Sequence, residues 1–194
     1  MGDETSSVLA NRQLLCLATG PVQFMNQVHG DGIVEITSII EPPTCDALIT
    51  SVTGIALAVM VADCIPLLLT SPTVVGAVHV GRRGLVNSIA LKTIAAMKER
   101  GALQIHAQLG PSICGRCYEV SQELFDEVCQ LHPAAASLTP VGTPSLDLPK
   151  ALIAELTRAG VTYEASTVCT LENPDYFSYR RHNITGRTAG VVWL

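Results

Sequence analysis

The sequence predicts an α+β fold with a mixed sheet core in a single domain over residues 1–194, and three features predict it. The first half is a run of short apolar segments cut by Gly and Pro. The middle passes from a strand through a glycine-bounded turn into a helix. The last third alternates capped helices with further strands. No repeat, low-complexity tract or linker divides the chain.

Taken in order, Ser6-Ser7 ahead of "VLANRQLL" reads as a capped helix. "VQFMNQV", "GIVEIT", "DALIT" and "GIALAVMVAD" then read as strands separated by turn residues. "VADCIPLLLTSPTVVGAVHV" reads as two apolar strands, with Asp63-Cys64 inside the first and His79 inside the second. Gly84 opens a helix from Leu85 to Arg100, which stops at Gly101. "LQIHAQLG" resumes the sheet, and Ser121 caps "QELFDEVCQ". A loop spans Pro140 to Pro144, and Asp147 followed by Leu148-Pro149 starts a helix that ends at Gly160. "STVCTL" and "TAGVVWL" close the chain as strands around the polar loop "FSYRRHNITGR".

A hydrophobic content of 48% supplies an ample core. Net charge of -5 argues against a general nucleic-acid binder, which needs a basic face, so any anion site must be local. The longest apolar run, Gly54 to Ala62, is far short of the roughly 20 residues that span a bilayer. Seven cysteines without a framework spacing, and no charged-then-apolar leader, read as a reduced, cytoplasmic protein.

Two constellations could carry chemistry. His29, in "NQVHGDG", with Cys64 and His79 would make a zinc site of two imidazoles and a thiolate with an open fourth position. Taken singly, Cys64 reads as an inert core thiol and His79 as a satisfied core histidine. Asp63, poorly tolerated in a buried strand, is either a strand-end residue or a carboxylate that orients a ligand or moves protons. The second constellation is cationic: Arg82, Arg83, Arg180, Arg181 and Arg187 put five of the twelve basic residues into two short segments. Guanidinium groups beside a helix N-terminus suit phosphate, although the Lys-Ser/Thr ending of a P-loop is missing. Cys114 and Cys117 form a CxxC with no second pair, so a zinc ribbon is not expected. His106, His132 and His182 read as ordinary strand, turn and loop residues.

"NQVHG", "VADCIPLLL", "AVHVGRRGL", "GPSICGRCYEV" and "FSYRRHNITGR", in this order over nearly the whole chain, resemble the purine nucleoside phosphorylase family also labelled laccase-like or multicopper polyphenol oxidase. The resemblance implies a four-layer α/β/β/α sandwich and a zinc-binding catalytic centre of His29, Cys64 and His79. It also implies an enzyme that cleaves purine nucleosides with phosphate, with adenosine deamination in some members. Within that implication Asp63 is the candidate proton carrier, and Arg83, Arg180 and Arg181 are the candidate phosphate and substrate ligands.

Three departures from the family pattern stand out. The family carries a longer N-terminal β segment, whereas this sequence begins near its "GDD" stretch, here "GDE" at Gly2 to Glu4. N-terminal strands are therefore expected to be missing, and the bared sheet edge to favour a homo-oligomer. Arg82 replaces a usual Trp, and Arg116 stands where a Cys is frequent before Cys117. Three other readings use the same residues: a copper enzyme oxidising phenols, an amide hydrolase with Cys64 as nucleophile and His79 as base, and a non-catalytic binding protein. Five histidines are too few for a multicopper assembly in one chain.

Overall fold

The computed structural model describes residues 4–194. Its elements run α1 (Thr5–Thr19), β1 (Val22–Gln23), β2 (Ile33–Glu35), β3 (Ala47–Thr50), β4 (Ala56–Val61), β5 (Ile65–Thr70), β6 (Val75–Val80), α2 (Arg82–Val86) and α3 (Ile89–Glu99). They continue with β7 (His106–Leu109), α4 (Gln122–Leu131), β8 (Ala136–Leu138), β9 (Pro144–Leu146), α5 (Leu148–Arg158), β10 (Thr162–Ala165) and β11 (Thr188–Val192). Gly2 and Asp3 of the "GDE" stretch lie outside the described residues. No helix among the described residues is long and apolar enough to cross a membrane.

Six strands form a mixed sheet in the order β10-β7-β5-β6-β3-β2, and a smaller sheet has the order β1-β4-β11. β5 and β6 pair antiparallel, whereas β2–β3 and β7–β10 are parallel. Side chains alternate across the large sheet, as the pleat requires. Ala47, Ile49, Leu67, Leu69, Val78 and Val80 pack with Ile89, Ile94 and Met97 of α3 and Leu152 and Leu156 of α5. On the opposite face, Leu48, Val75 and Ala77 meet Leu57, Val59 and Val61 of β4. β4 buries its other face too, where Ala56 and Ala58 meet Val22, Phe24 and Leu15 of α1. A strand covered on both sides reads as a continuous apolar run, which explains "IALAVMV". The α+β class with mixed sheets agrees with the sequence.

Several local expectations are corrected. α1 begins at Thr5, so Ser6 and Ser7 lie inside its first turn instead of capping it. The helix expected from Leu85 to Arg100 is two helices, α2 and α3, broken at Ser88, whose φ of 55° no helix can hold. "STVCTL" forms only an isolated bridge, Ser112 to Cys169, and β10 supplies the strand instead. Exposed along its length, "TYEA" lacks the apolar alternation that marks a strand. The expected caps of α4 and α5 are present: Ser121 Oγ accepts from Leu124 N–H and Asp147 Oδ1 from Lys150 N–H.

The most consequential correction concerns Asp63 and Cys64. They lie not within a strand but in the bend between Val61, the last residue of β4, and Ile65, the first of β5. The chain crosses there from the small sheet to the large one. A carboxylate inside either apolar strand would be desolvated without partners, whereas the bend brings partners to it.

Candidate metal centre

Three segments converge at one end of the sheets. His29 lies after β1 with φ of 59°, Cys64 follows Asp63 in the crossing bend, and His79 is buried in β6. Their ligand atoms lie within 4.8 Å of one another. Cys64 Sγ is 3.8 Å from His29 Nε2, and the two imidazole centroids are 4.6 Å apart at 76°. Tetrahedral zinc with ordinary bond lengths separates a sulfur from a nitrogen ligand by about 3.5 Å. The geometry therefore fits a metal after small shifts. A Cβ on Gly81 would lie 3.0 Å from His29 Cδ2 and 3.1 Å from Cys64 Sγ, so the bare backbone there keeps the ligand pocket open.

A residue that none of the motifs singles out holds this arrangement. Asp46, just before β3, is fully buried. Its Oδ1 accepts from His29 N–H at 2.9 Å and pairs with His79 Nδ1 at 2.8 Å. Its Oδ2 accepts from the backbone of Val28 at 3.2 Å and Gly30 at 2.7 Å. The carboxylate therefore shapes the turn that carries one imidazole and orients the other, leaving His79 Nε2 as the ring nitrogen free for a metal. The sequence signal was a charge at the head of an apolar strand, "DALIT". β3–β6 pairing sets Ala47 opposite Val78, and His79 N–H donates to Asp46 O at 2.8 Å. Only that pairing reveals the partner.

The site is strongly polarised. Burial pushes the Cys64 thiol up, but hydrogen bonds and positive charge from His29 and His79 outweigh it and bring the pKa down to about 7. For His79, burial works against the cation, yet Asp46 and Cys64 raise it to about 9. Burial also disfavours the Asp46 carboxylate, and His79 with the backbone of Gly30 and Val28 more than compensates, so its pKa is lowered.

His29, Cys64 and His79 all line a cavity of about 710 Å³. Its walls include Met25, Met60, Ile113, Tyr118 and Tyr179, and five arginines face it: Arg12, Arg82, Arg83, Arg180 and Arg187. Asp63 also lines it, with φ of 87°, a strained value for a residue with a Cβ. Its Oδ1 accepts from Thr170 Oγ1 and its Oδ2 from Arg180 N–H, both at 2.7 Å. Asp63 thus ties the crossing bend to the arginine loop.

The predicted phosphate ligands separate. Arg83 and Arg180 reach the cavity, with Arg180 4.7 Å over the Tyr118 ring and donating to Glu119 O. Arg181 does not. Its guanidinium donates to the carbonyls of Thr170, Leu171, Asn173 and Tyr176, bracing the loop from within. Arg12, on α1, joins the cavity and stacks 4.2 Å over Phe24. Nothing in its own helix pattern marks it as a site residue.

The family model described as multi-copper polyphenol oxidoreductase laccase matches residues 1–194. The chain is 45% identical over 206 residues to a purine nucleoside phosphorylase of Streptomyces coelicolor, covering all of this chain and 85% of that protein. It is 40% identical over 210 residues to a purine nucleoside phosphorylase of Corynebacterium glutamicum, covering all of this chain and 84% of that one. Its fold superposes on the crystal structure of a Neisseria meningitidis protein with a TM-score of 0.90 at 36% identity, over all of this chain and 83% of the other.

Proposed function

As the chain belongs to the family described as multi-copper polyphenol oxidoreductase laccase and its relatives are named purine nucleoside phosphorylases, we propose that it is a zinc-dependent purine nucleoside phosphorylase. Its substrates are inosine, adenosine and guanosine with phosphate, and deamination of adenosine is a second activity of the same cavity. The observation that carries this reading is the juxtaposition of the His29, Cys64 and His79 cluster with a cavity that has aromatic and thioether walls and five facing arginines.

His29, Cys64 and His79 would hold the zinc, which would supply Lewis acidity at this end of the cavity. The remaining work falls to the protein. Met60, Ile113 and the two tyrosines give the flat face of a purine a place to stack. Arg83 and Arg180 hold phosphate where it can attack the ribose carbon as the base departs, a task of positioning and charge stabilisation. Asp63 accepts one hydrogen bond on each oxygen and keeps lone pairs free, so it can carry a proton to or from the purine. Arg82, in place of an aromatic residue, adds a cation to the cavity lining, where it favours anionic substrate groups.

Incubation with inosine in the presence and absence of phosphate tests the reading. Hypoxanthine and a ribose phosphate, formed only with phosphate, are expected. Equal release of hypoxanthine with free ribose would make the protein a hydrolase. A second reading, copper-dependent phenol oxidation, is favoured by the family description and by a donor set of two imidazoles and one thiolate. Phenol oxidation by the copper-loaded protein without any phosphorolysis would put it first.

A further inference from the structure

The sequence shows a lone CxxC at Cys114 and Cys117, but the fold adds a third thiol and a carboxylate to it. Cys169 arrives from the segment before the arginine loop, joined by the Ser112–Cys169 bridge and by Thr170 N–H donating to Ser112 O at 3.1 Å. Glu172 follows from the same segment. The four ligand atoms of Cys114, Cys117, Cys169 and Glu172 lie within 4.8 Å of one another. We propose that these four residues form a second metal centre, which takes a thiophilic divalent cation such as zinc and clips two walls of the substrate cavity together.

The donor chemistry selects the ion. Three thiolates and one carboxylate make four ligands, the number that closes a structural zinc site, and soft sulfur discriminates against magnesium and calcium. Tetrahedral zinc places its sulfur ligands roughly 3.8 Å apart, within the observed spread. All three thiols are free, so no disulfide consumes them, and one disulfide could satisfy only two of the three.

The surroundings are built for such a centre. Cys114 and Cys117 sit on a tight turn, closed by donation from Cys117 N–H to Cys114 O at 3.0 Å. The turn is pressed against Asp147, since a Cβ on Gly115 would fall 2.5 Å from Asp147 Cβ. Cys114 N–H points at Cys169 Sγ, 3.4 Å away, in the manner of a backbone donor to a thiolate ligand. Cys169 is buried, its two partner cysteines are half-buried and Glu172 is exposed, so an ion can reach the site from solvent. Arg181 donates to the carbonyls on both sides of Glu172, at Leu171 and Asn173, which fixes this segment of the site and offsets its negative charge. That is the part Arg181 plays in place of binding phosphate.

The clip would act directly on the cavity. Cys117 precedes Tyr118, which lines the cavity beneath Arg180, and Cys169 precedes Thr170, which donates to Asp63. The proposal does not depend on the phosphorylase reading, because its readout is metal binding.

The experiment counts metal in protein purified under reducing, zinc-replete conditions. Two equivalents are expected in the wild type and one in Cys64→Ala, which leaves all three clip cysteines intact. Zinc-stripped Cys64→Ala titrated with cobalt(II) should reach a near-ultraviolet thiolate-to-cobalt band at one equivalent, with about three times the intensity of a single-thiolate site. Cys117→Ser should hold one equivalent; should that variant not fold, the wild-type and Cys64→Ala counts decide alone. A Cys64→Ala protein that binds no cobalt, or a folded Cys117→Ser protein that holds as much metal as the wild type, overturns the proposal.

Discussion

Replacing Asp46 with Asn tests how much of the metal centre depends on one buried carboxylate. The side chain keeps its size, so packing is nearly unchanged, but one oxygen becomes an NH2 group. Placed at Oδ2, that group faces the Val28 and Gly30 N–H groups; placed at Oδ1, it faces His29 N–H and His79 Nδ1. Either way at least one part-buried backbone donor loses its acceptor and meets another donor. One or two unsatisfied donors at about 1–3 kcal/mol each predict a stability loss of about 1–6 kcal/mol. His79 also loses the anion that fixes its tautomer, which predicts a drop in zinc affinity of roughly 10- to 100-fold. Urea unfolding of the metal-free protein gives the first quantity, and competition with a chromophoric chelator gives the second. An Asp46→Asn protein within about 0.5 kcal/mol and two-fold of wild type on both counts would refute the reasoning, because burial at this site would then not require the carboxylate.

Four further outcomes are expected. Arg180→Ala should weaken phosphate use by about 10- to 100-fold, since a lost charge-assisted contact costs on the order of 1.5–3 kcal/mol. Arg181→Ala should instead lower stability and leave the KM for phosphate unchanged in the folded fraction; initial rates against phosphate concentration, with melting curves, separate the two. In metal-free protein, alkylation of Cys64 should rise with pH and reach half its maximum near pH 7, not near the ordinary thiol value of 9.0, because the thiolate forms as pH passes the lowered pKa. A midpoint near 9 would remove the imidazoles as the cause. Glu155 is buried on α5 with Oε2 unpartnered, and burial lifts its pKa from 4.5 to about 7. Between these values the native state holds a proton that the unfolded state releases, so stability falls as pH rises and is lower above pH 7 by roughly 3 kcal/mol. Glu155→Gln should therefore raise the melting temperature at pH 8 more than at pH 5, and an equal effect at both would contradict the assignment.

The cluster of His29, Cys64 and His79 was legible because each sits in a recognisable motif, although their spacing alone would not have joined them. Asp46 was not legible: "DALIT" reads as a strand whichever residue stands opposite, and only the β3–β6 pairing puts the carboxylate beside His79. Arg180 and Arg181 are adjacent and chemically identical, so their opposite directions are set by a loop that local propensity does not specify. The same holds for Cys169, which joins the CxxC only through a bridge between two irregular segments. The sheet order was hidden for a similar reason, since β4 and β5 form one apolar run broken only by the Asp63 bend. The run itself predicts strands, but not that the bend moves the chain from one sheet to another.

The most direct test of the central claim returns zinc stepwise to stripped protein while phosphate-dependent release of hypoxanthine from inosine is followed. Activity should be absent without metal and rise with occupancy of His29, Cys64 and His79, and no amount of zinc should restore it in Cys64→Ala. Full phosphorolysis by stripped protein, or by Cys64→Ala, would contradict the account.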